Sequence, residues 1–250
     1  MRKIVVGVLF LIITFFIFSM VFKNREPEPI ISYVFDFEEE IDRDFWLVGP
    51  WGSFERAYES VAVSGGILRL SSDVNGIMPY MLTKPIEIRD GDVITLKRKV
   101  KIHHGSDTFS GGIAMYQTSD IELLPEETDG EWFTSLGDGV FLVEYSYDLT
   151  SDLERPGRDI IRFLAADWEY NNNYTLITPI YDEWYEEVIV FDTRSNQISY
   201  RINNNEYKLN SYKLDRGNIR FFMHPYGTGY GNVVEIDSLE ITVENKKLRR

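Results

Sequence analysis

Residues 231–244 place three carboxylates, Glu235, Asp237 and Glu240, among the β-forming residues Val233, Val234, Ile236, Leu239, Ile241 and Val243. Carboxylates set along one strand could cut a glycosidic bond. That chemistry needs two carboxyls about 5–5.5 Å apart if configuration is retained, with one pKa raised so that it can donate a proton. On a regular strand Glu235 and Asp237 share a face, while Glu240 points to the other. A bulge at Ser238–Leu239 would be needed to bring Glu240 round. The bland alternative is the closing strand of a β-sandwich, and only about ten residues follow Glu240.

A second chemistry is sugar binding without cleavage, in which aromatic rings sit under sugar C–H faces and amides or carboxylates hold the hydroxyls. Trp168, Tyr170, Asn171, Asn172, Asn173 and Tyr174 offer it in one loop. Tyr226 and Tyr230 offer it in the glycine-rich stretch 224–231. Both stretches read equally as aromatic edges covering the ends of a sandwich. Trp46, Trp51 and Trp184 read as core. His103, His104 and Asp107 could meet a metal, but no further spaced ligand is evident. Gly227-x-Gly229-x-Gly231 is no nucleotide loop, because a strand follows it.

The elements that must hold these groups are strands. From Ile31 onward alternation is common and helical periodicity scarce. About a dozen short runs fill residues 32–245, including 33–37, 60–63, 67–70, 93–102, 141–147, 185–191 and 219–223. Gly65-Gly66, Asp90-Gly91 and residues 203–205 read as turns between them. Many strands without βαβ alternation mean a large antiparallel β-sandwich or barrel, with no internal repeat and no second domain. In 93–102, Lys97, Lys99 and Lys101 share one phase, which reads as a solvated face. Arg98 falls on the apolar phase, which demands a bulge or a buried ion pair.

Ahead of the sandwich, residues 4–22 carry no charge and are long enough to cross a hydrocarbon core of roughly 30 Å. They read as an uncleaved transmembrane helix, with residues 1–3 as a cytoplasmic head and 23–31 as a proline-bearing linker. This orientation, N-in, puts the domain on the extracytoplasmic side. Cleavage of the segment would give a secreted protein instead. Residues 246–250 form a basic tail. The chain has 250 residues, a formal net charge of −14 and no cysteine. Acidity speaks against nucleic acid as a partner. The lack of cysteine removes disulfides, a thiolate nucleophile and Cys-based metal sites.

Three stretches resemble the concanavalin A-like lectin/glucanase jelly roll in its laminin-G-like versions. They are Phe35-Asp36-Phe37 through Trp46 to the V-x-x-G-x-L-x-L run at 63–70; Trp184 with 185–192 and 198–203; and 219–223 with 234–241. The resemblance implies an all-β jelly roll that binds carbohydrate or another surface polymer. It also implies a possible structural calcium, with Asp36 on the first strand and Asp237 on the last as candidate ligands clipping the termini together. Glu235-x-Asp237-x-x-Glu240 resembles the signature of the laminarinase-like hydrolases. There the first Glu is nucleophile, the Asp orients it, and the last Glu is acid/base; Glu144 would be a cross-cleft partner. In those hydrolases several strands follow the motif, so the favoured expectation is binding without catalysis. A structural or protein-binding surface domain is the third reading, because this fold hosts all three.

Overall fold

A computed structural model describes residues 31–51, 60–72, 78–103, 109–118, 138–147, 159–165, 174–210, 217–225 and 232–245. The segment expected to cross a membrane, the expected linker up to Ile30 and the basic tail therefore lie outside the described residues. Among the described residues no helix is long and apolar enough to cross a membrane. The elements are sixteen strands: β1 (Ile31–Phe35), β2 (Trp46–Trp51), β3 (Val61–Ser64), β4 (Ile67–Ser71), β5 (Met78–Thr83), β6 (Ile86–Ile88), β7 (Asp92–Ile102), β8 (Phe109–Thr118), β9 (Asp138–Tyr147), β10 (Asp159–Ala165), β11 (Tyr174–Ile177), β12 (Tyr185–Asp192), β13 (Gln197–Ile202), β14 (Asn205–Asn210), β15 (Gly217–His224) and β16 (Val233–Asn245).

They form two eight-stranded sheets. The first runs β14-β13-β12-β7-β16-β4-β3, with β1 also on β16; the second runs β11-β10-β9-β8-β15-β5-β2, with β6 also on β15. All pairings among the described strands are antiparallel, as alternation predicts. The first and last strands lie side by side, Ile31 opposite Val243. Gly65 and Gly66 close the β3–β4 hairpin with φ of 60° and 76°, a pair of left-handed positions that suits two glycines.

Three strands are missing from the sequence expectation. β2 contains Gly49-Pro50, which reads as a turn, yet it is an edge strand, where a proline costs no ladder bond. β11 begins inside the amide-rich stretch at Tyr174, and β14 (NEYKLN) is a polar edge strand with little apolar signal.

The core lies between the sheets. The first sheet contributes Leu68, Leu70, Ile94, Leu96, Val100, Ile102, Ile236, Leu239, Ile241 and Val243, and the second contributes Ile113, Met115, Val143, Phe163, Phe221 and Met223. Trp46 is buried among them at 1% exposure, as expected. Arg98 points into this core too, and the answer to it is a buried ion pair. Its Nε donates to Glu187 Oε2 at 2.6 Å, and the Tyr200 hydroxyl donates to Glu187 Oε1 at 2.8 Å. Both charged side chains have no exposure. Removing one partner alone would strand the other charge, a change that costs about 3–5 kcal/mol in such pairs.

Candidate functional site

The acidic strand β16 lies against the lysine strand β7, so the outer face of the first sheet is a ladder of opposite charges. Lys101 Nζ stands 2.6 Å from Glu235 Oε2, and Lys99 Nζ 3.1 Å from Asp237 Oδ2. Glu240 pairs in register with Lys97, which reaches Glu186 of β12 at 3.7 Å. The lysines expected to form a plain solvated face thus meet acids on both neighbouring strands.

The pairing shifts register between Ile236 and Ser238. Asp237 is the extra residue of a bulge, one position earlier than the sequence would require for a catalytic set. The bulge corrects one expectation: Glu240 is in phase with Glu235, both on the lysine face. It does not make a catalytic pair. Their partners Lys101 and Lys97 are four residues apart on β7, which separates the two backbone positions by roughly 13 Å. Glu235 is also turned to cations. Burial pushes its pKa up, but Lys101 and His103 outweigh burial and hold the carboxyl below its ordinary range. Glu144 stands on β9 of the second sheet, opposite Arg162, and so not in the sheet that carries these acids.

A polar knot closes the upper end of this face. His103 Nδ1 lies 3.0 Å from Asp182 Oδ1, and Nε2 lies 3.1 Å from Glu235 Oε2. The Nε2 approach has no hydrogen-bond alignment and acts as an electrostatic contact. Arg69 adds a contact at 3.8 Å to the other Glu235 oxygen. Lys101 and Lys99 stand over the Trp184 ring, 5.0 and 5.6 Å from its centroid. Trp184 is therefore half-buried on the charged face and not core, which corrects the sequence reading. This set was missed because its members come from four separate strands or links. His103 was visible as a metal candidate only, and nothing in the spacing pointed to Asp182 or Trp184.

The proposed calcium clip does not fit the residues present. Asp237 holds Lys99, and the exposed Asp36 accepts the backbone N–H of Glu38 at 3.3 Å. Among the described residues no group of three or more acids or histidines gathers for a metal.

The sugar-binding candidates Trp168, Tyr170, Asn172, Tyr226 and Tyr230 lie outside the described residues. Tyr174 is described only as the first residue of β11, opposite Leu164. The flanking strands show where the two stretches leave the sheet. β10 and β15 run antiparallel to β9 and β8 respectively, and so opposite to each other. The 166–173 stretch follows Ala165 in one direction, and the 226–231 stretch follows β15 in the other.

The second sheet is buried on its outer face as well. Tyr80, Leu82, Ala114, Tyr116 and Phe222 form a separate apolar cluster there. On β15 Phe222 alternates with Phe221 and Met223 of the main core. His224 stacks 5.0 Å from Phe222. Burial, with the charge of Arg98 added, brings the His224 pKa down to about 3, so the ring stays neutral. Two glycines make room: a Cβ at Gly49 would lie 2.1 Å from the Tyr80 hydroxyl, and one at Gly112 3.0 Å from His224 Nε2.

No family model matches the chain, and no curated protein matches it. Solved structures do. The Lotus tetragonolobus seed lectin aligns with a TM-score of 0.62 at 11% identity, over 86% of this chain and 99% of that one. The Bauhinia forficata lectin in complex with GalNAc aligns with a TM-score of 0.59 at 12% identity, over 86% and 98%. The exoplasmic/lumenal domain of VIP36, in a Ca2+/Man3GlcNAc-bound form, aligns with a TM-score of 0.55 at 14% identity, over 84% and 87%. The chain has the concanavalin A-like lectin fold. At such identity the likeness carries the fold and no residue correspondence. It bears out the jelly roll expected from the three stretches at 35–70, 184–203 and 219–241.

Proposed function

We propose that this chain is a non-catalytic carbohydrate-binding domain of the concanavalin A-like fold, held at the extracytoplasmic side of a membrane by residues 4–22. The observation that carries the binding reading is the match of the sandwich to lectins over nearly their whole length. The geometry of the three acids supports the absence of hydrolysis by them, since Glu235 and Glu240 stand too far apart to flank one bond. Anchoring rests on the uncharged run 4–22 alone. The first ligand stretch of the reading is Trp168–Tyr174, which combines rings and amides without needing a metal; Tyr226 and Tyr230, whose strand runs the opposite way, are a separate, alternative site.

The test is a glycan array probed with the detergent-solubilised full chain. Binding to one glycan class is the expected result. Trp168→Ala should weaken it about tenfold or more, since a stacked ring commonly carries that much affinity, and Tyr226→Ala should leave it unchanged unless the 226–230 stretch is the site. No signal on any glycan would overturn the reading and favour a protein-binding surface domain.

A further inference from the structure

Four links carry the chain between the two sheets at one end of the sandwich: 72–77, 103–108, 178–184 and 225–232. The opposite end holds a cavity of about 550 Å³. β6 and the turn after it bring Glu87, Arg89 and Asp90 to its wall, β15 brings Gly217 and Asn218, and β16 ends there with Asn245. Sites for small ligands commonly measure about 300–1,000 Å³.

The wall is fixed before anything binds. Asp92, at 2% exposure, accepts the Arg89 N–H at Oδ2 and the Asn245 side-chain amide at Oδ1, both at 2.7 Å. Thr193, just past β12, accepts the Gly91 N–H at Oγ1 and donates from Oγ1 to the Asp92 carbonyl, both at 2.9 Å. Gly91 itself has φ of 91°, which suits glycine. The turn is thus tied to β12 and β16, so its groups need little ordering on binding.

The exposed side chains on this wall are matched to each other. Arg89 donates from Nε and Nη2 to Glu87 Oε1 at 3.3 and 3.2 Å. Glu87 Oε2 and Arg89 Nη1 are left side by side, an acceptor beside a donor, with no partner among the described residues. Asn218 stands opposite Glu87 in the β6–β15 register, so its amide joins them on one face. That amide offers both an acceptor and two donors.

We propose that this cavity is a saccharide subsite, which takes a vicinal diol across the Glu87–Arg89 pair. One hydroxyl donates to Glu87 Oε2, its neighbour accepts from Arg89 Nη1, and the Asn218 amide holds a third. Other ligand classes fit less well. An anion would meet Glu87 and Asp90 against a single guanidinium. A metal ion would find no group of three or more acids or histidines among the described residues, and Arg89 already stands on Glu87. An apolar ligand would strip water from these charges without replacing their hydrogen bonds. A neutral polyol replaces them. The subsite shares no residue with the ligand stretch at 168–174, so the two readings can fail separately.

The test follows backbone and Asn side-chain amides by NMR in the full chain in detergent. The probes are methyl α-glucoside, methyl α-mannoside and methyl α-galactoside. At least one should shift the amides of 87–90 and 217–218 in a saturable way, with a Kd of roughly 1–10 mM, the strength of a few hydrogen bonds at an open site. Glu87→Ala and Asn218→Ala should each weaken that binding about tenfold. Glu87 has a 65% exposed side chain, so its loss should leave the urea midpoint in place. Trp168→Ala should leave the shifts unchanged. 1,4-Butanediol, whose hydroxyls are not adjacent, should produce none. No saturable shift at these amides with any of the three glycosides overturns the proposal. So do shifts that survive both substitutions, or equal shifts with butanediol. An empty glycan array with these shifts intact would sink the lectin reading and leave the subsite standing. A positive array without them would sink the subsite alone.

Discussion

On the first sheet the residues that alternate away from the core are Lys97, Lys99 and Lys101 facing Glu235, Asp237 and Glu240. On the second sheet the equivalent residues are Tyr80, Leu82, Ala114, Tyr116 and Phe222, with Arg220 and His224 on the same phase of β15, all buried. The two faces share one strand geometry and one core between them. They differ in what the outward phase carries. Charges leave the first face in water, where its cross-strand pairs are individually weak. Apolar and aromatic groups commit the second face to being covered, where each side chain is held by packing. A sheet with one buried face alternates, and a sheet with two does not. The run Ile219-Arg220-Phe221-Phe222-Met223 shows the second pattern, with Ile219, Phe221 and Met223 in the core and Phe222 behind it.

The largest test of this contrast sets Phe222→Ala against Lys97→Ala. Phe222 has no exposure and packs against Tyr80 at 5.3 Å between ring centroids. Its loss should lower stability by about 3–5 kcal/mol, the usual cost of emptying an aromatic site in a core. Lys97 has a 47% exposed side chain, and its truncation should stay within about 0.5 kcal/mol. Urea denaturation of the two variants measures both. Similar midpoints would mean that the outer face of the second sheet is not a true second core.

How much of this was legible follows the same line. The lysine face could be read directly, because lysine at every second position from 97 to 101 puts all three side chains on one side of a strand. The core phase of β7, β12, β13 and β16 was legible for the same reason. Arg98 announced itself by breaking the phase, but its partner Glu187 lies 89 residues away on a strand whose pairing no local pattern reveals. The bulge at Asp237 left a trace in the sequence, where the apolar phase passes from 234 and 236 to 239, 241 and 243, but its place is set by the register of β7 against β16. It reversed the face assigned to Glu240. The His103 knot was hidden for a related reason. Its members Asp182, Trp184 and Glu235 meet only where four sheet-crossing links converge, and sequence spacing carries no record of that.

A middle-sized effect is expected at Glu235, the least exposed acid of the charged ladder, with 14% side-chain exposure. Glu235→Gln keeps the shape and removes the charge that Lys101 and His103 hold. The loss should be about 1–2 kcal/mol at pH 7. The sign with pH follows from the lowered pKa of this carboxyl. A carboxylate depressed in the folded state stabilises fully above its unfolded value, and that contribution disappears as pH falls through the folded one. The gap between the unaltered chain and Glu235→Gln should therefore be widest near neutrality. It should shrink as pH drops below the ordinary value of 4.5. Thermal midpoints taken at several pH values from 7 to 3 check this. A gap that widened on acidification would mean that Glu235 is not held by cations in solution.

The smallest effect belongs to Lys99 and Asp237, and it separates two roles for the bulge. Their side chains are 44% and 41% exposed, so an ordinary pair of this kind contributes about 0.2–1 kcal/mol and fades in salt. A double-mutant cycle with Lys99→Ala and Asp237→Asn should give a coupling in that range at low ionic strength. At 1 M salt, where the screening length is about 3 Å, it should be close to zero. Asp237→Asn is the useful partner because it leaves Lys99 free to keep its place over Trp184. A coupling above about 1.5 kcal/mol that persists in salt would show that the ion pair sets the bulge. A coupling in the expected range assigns the bulge to the apolar register instead, with Ile236 and Leu239 both drawn inward and Asp237 left as the residue that has no place in the ladder.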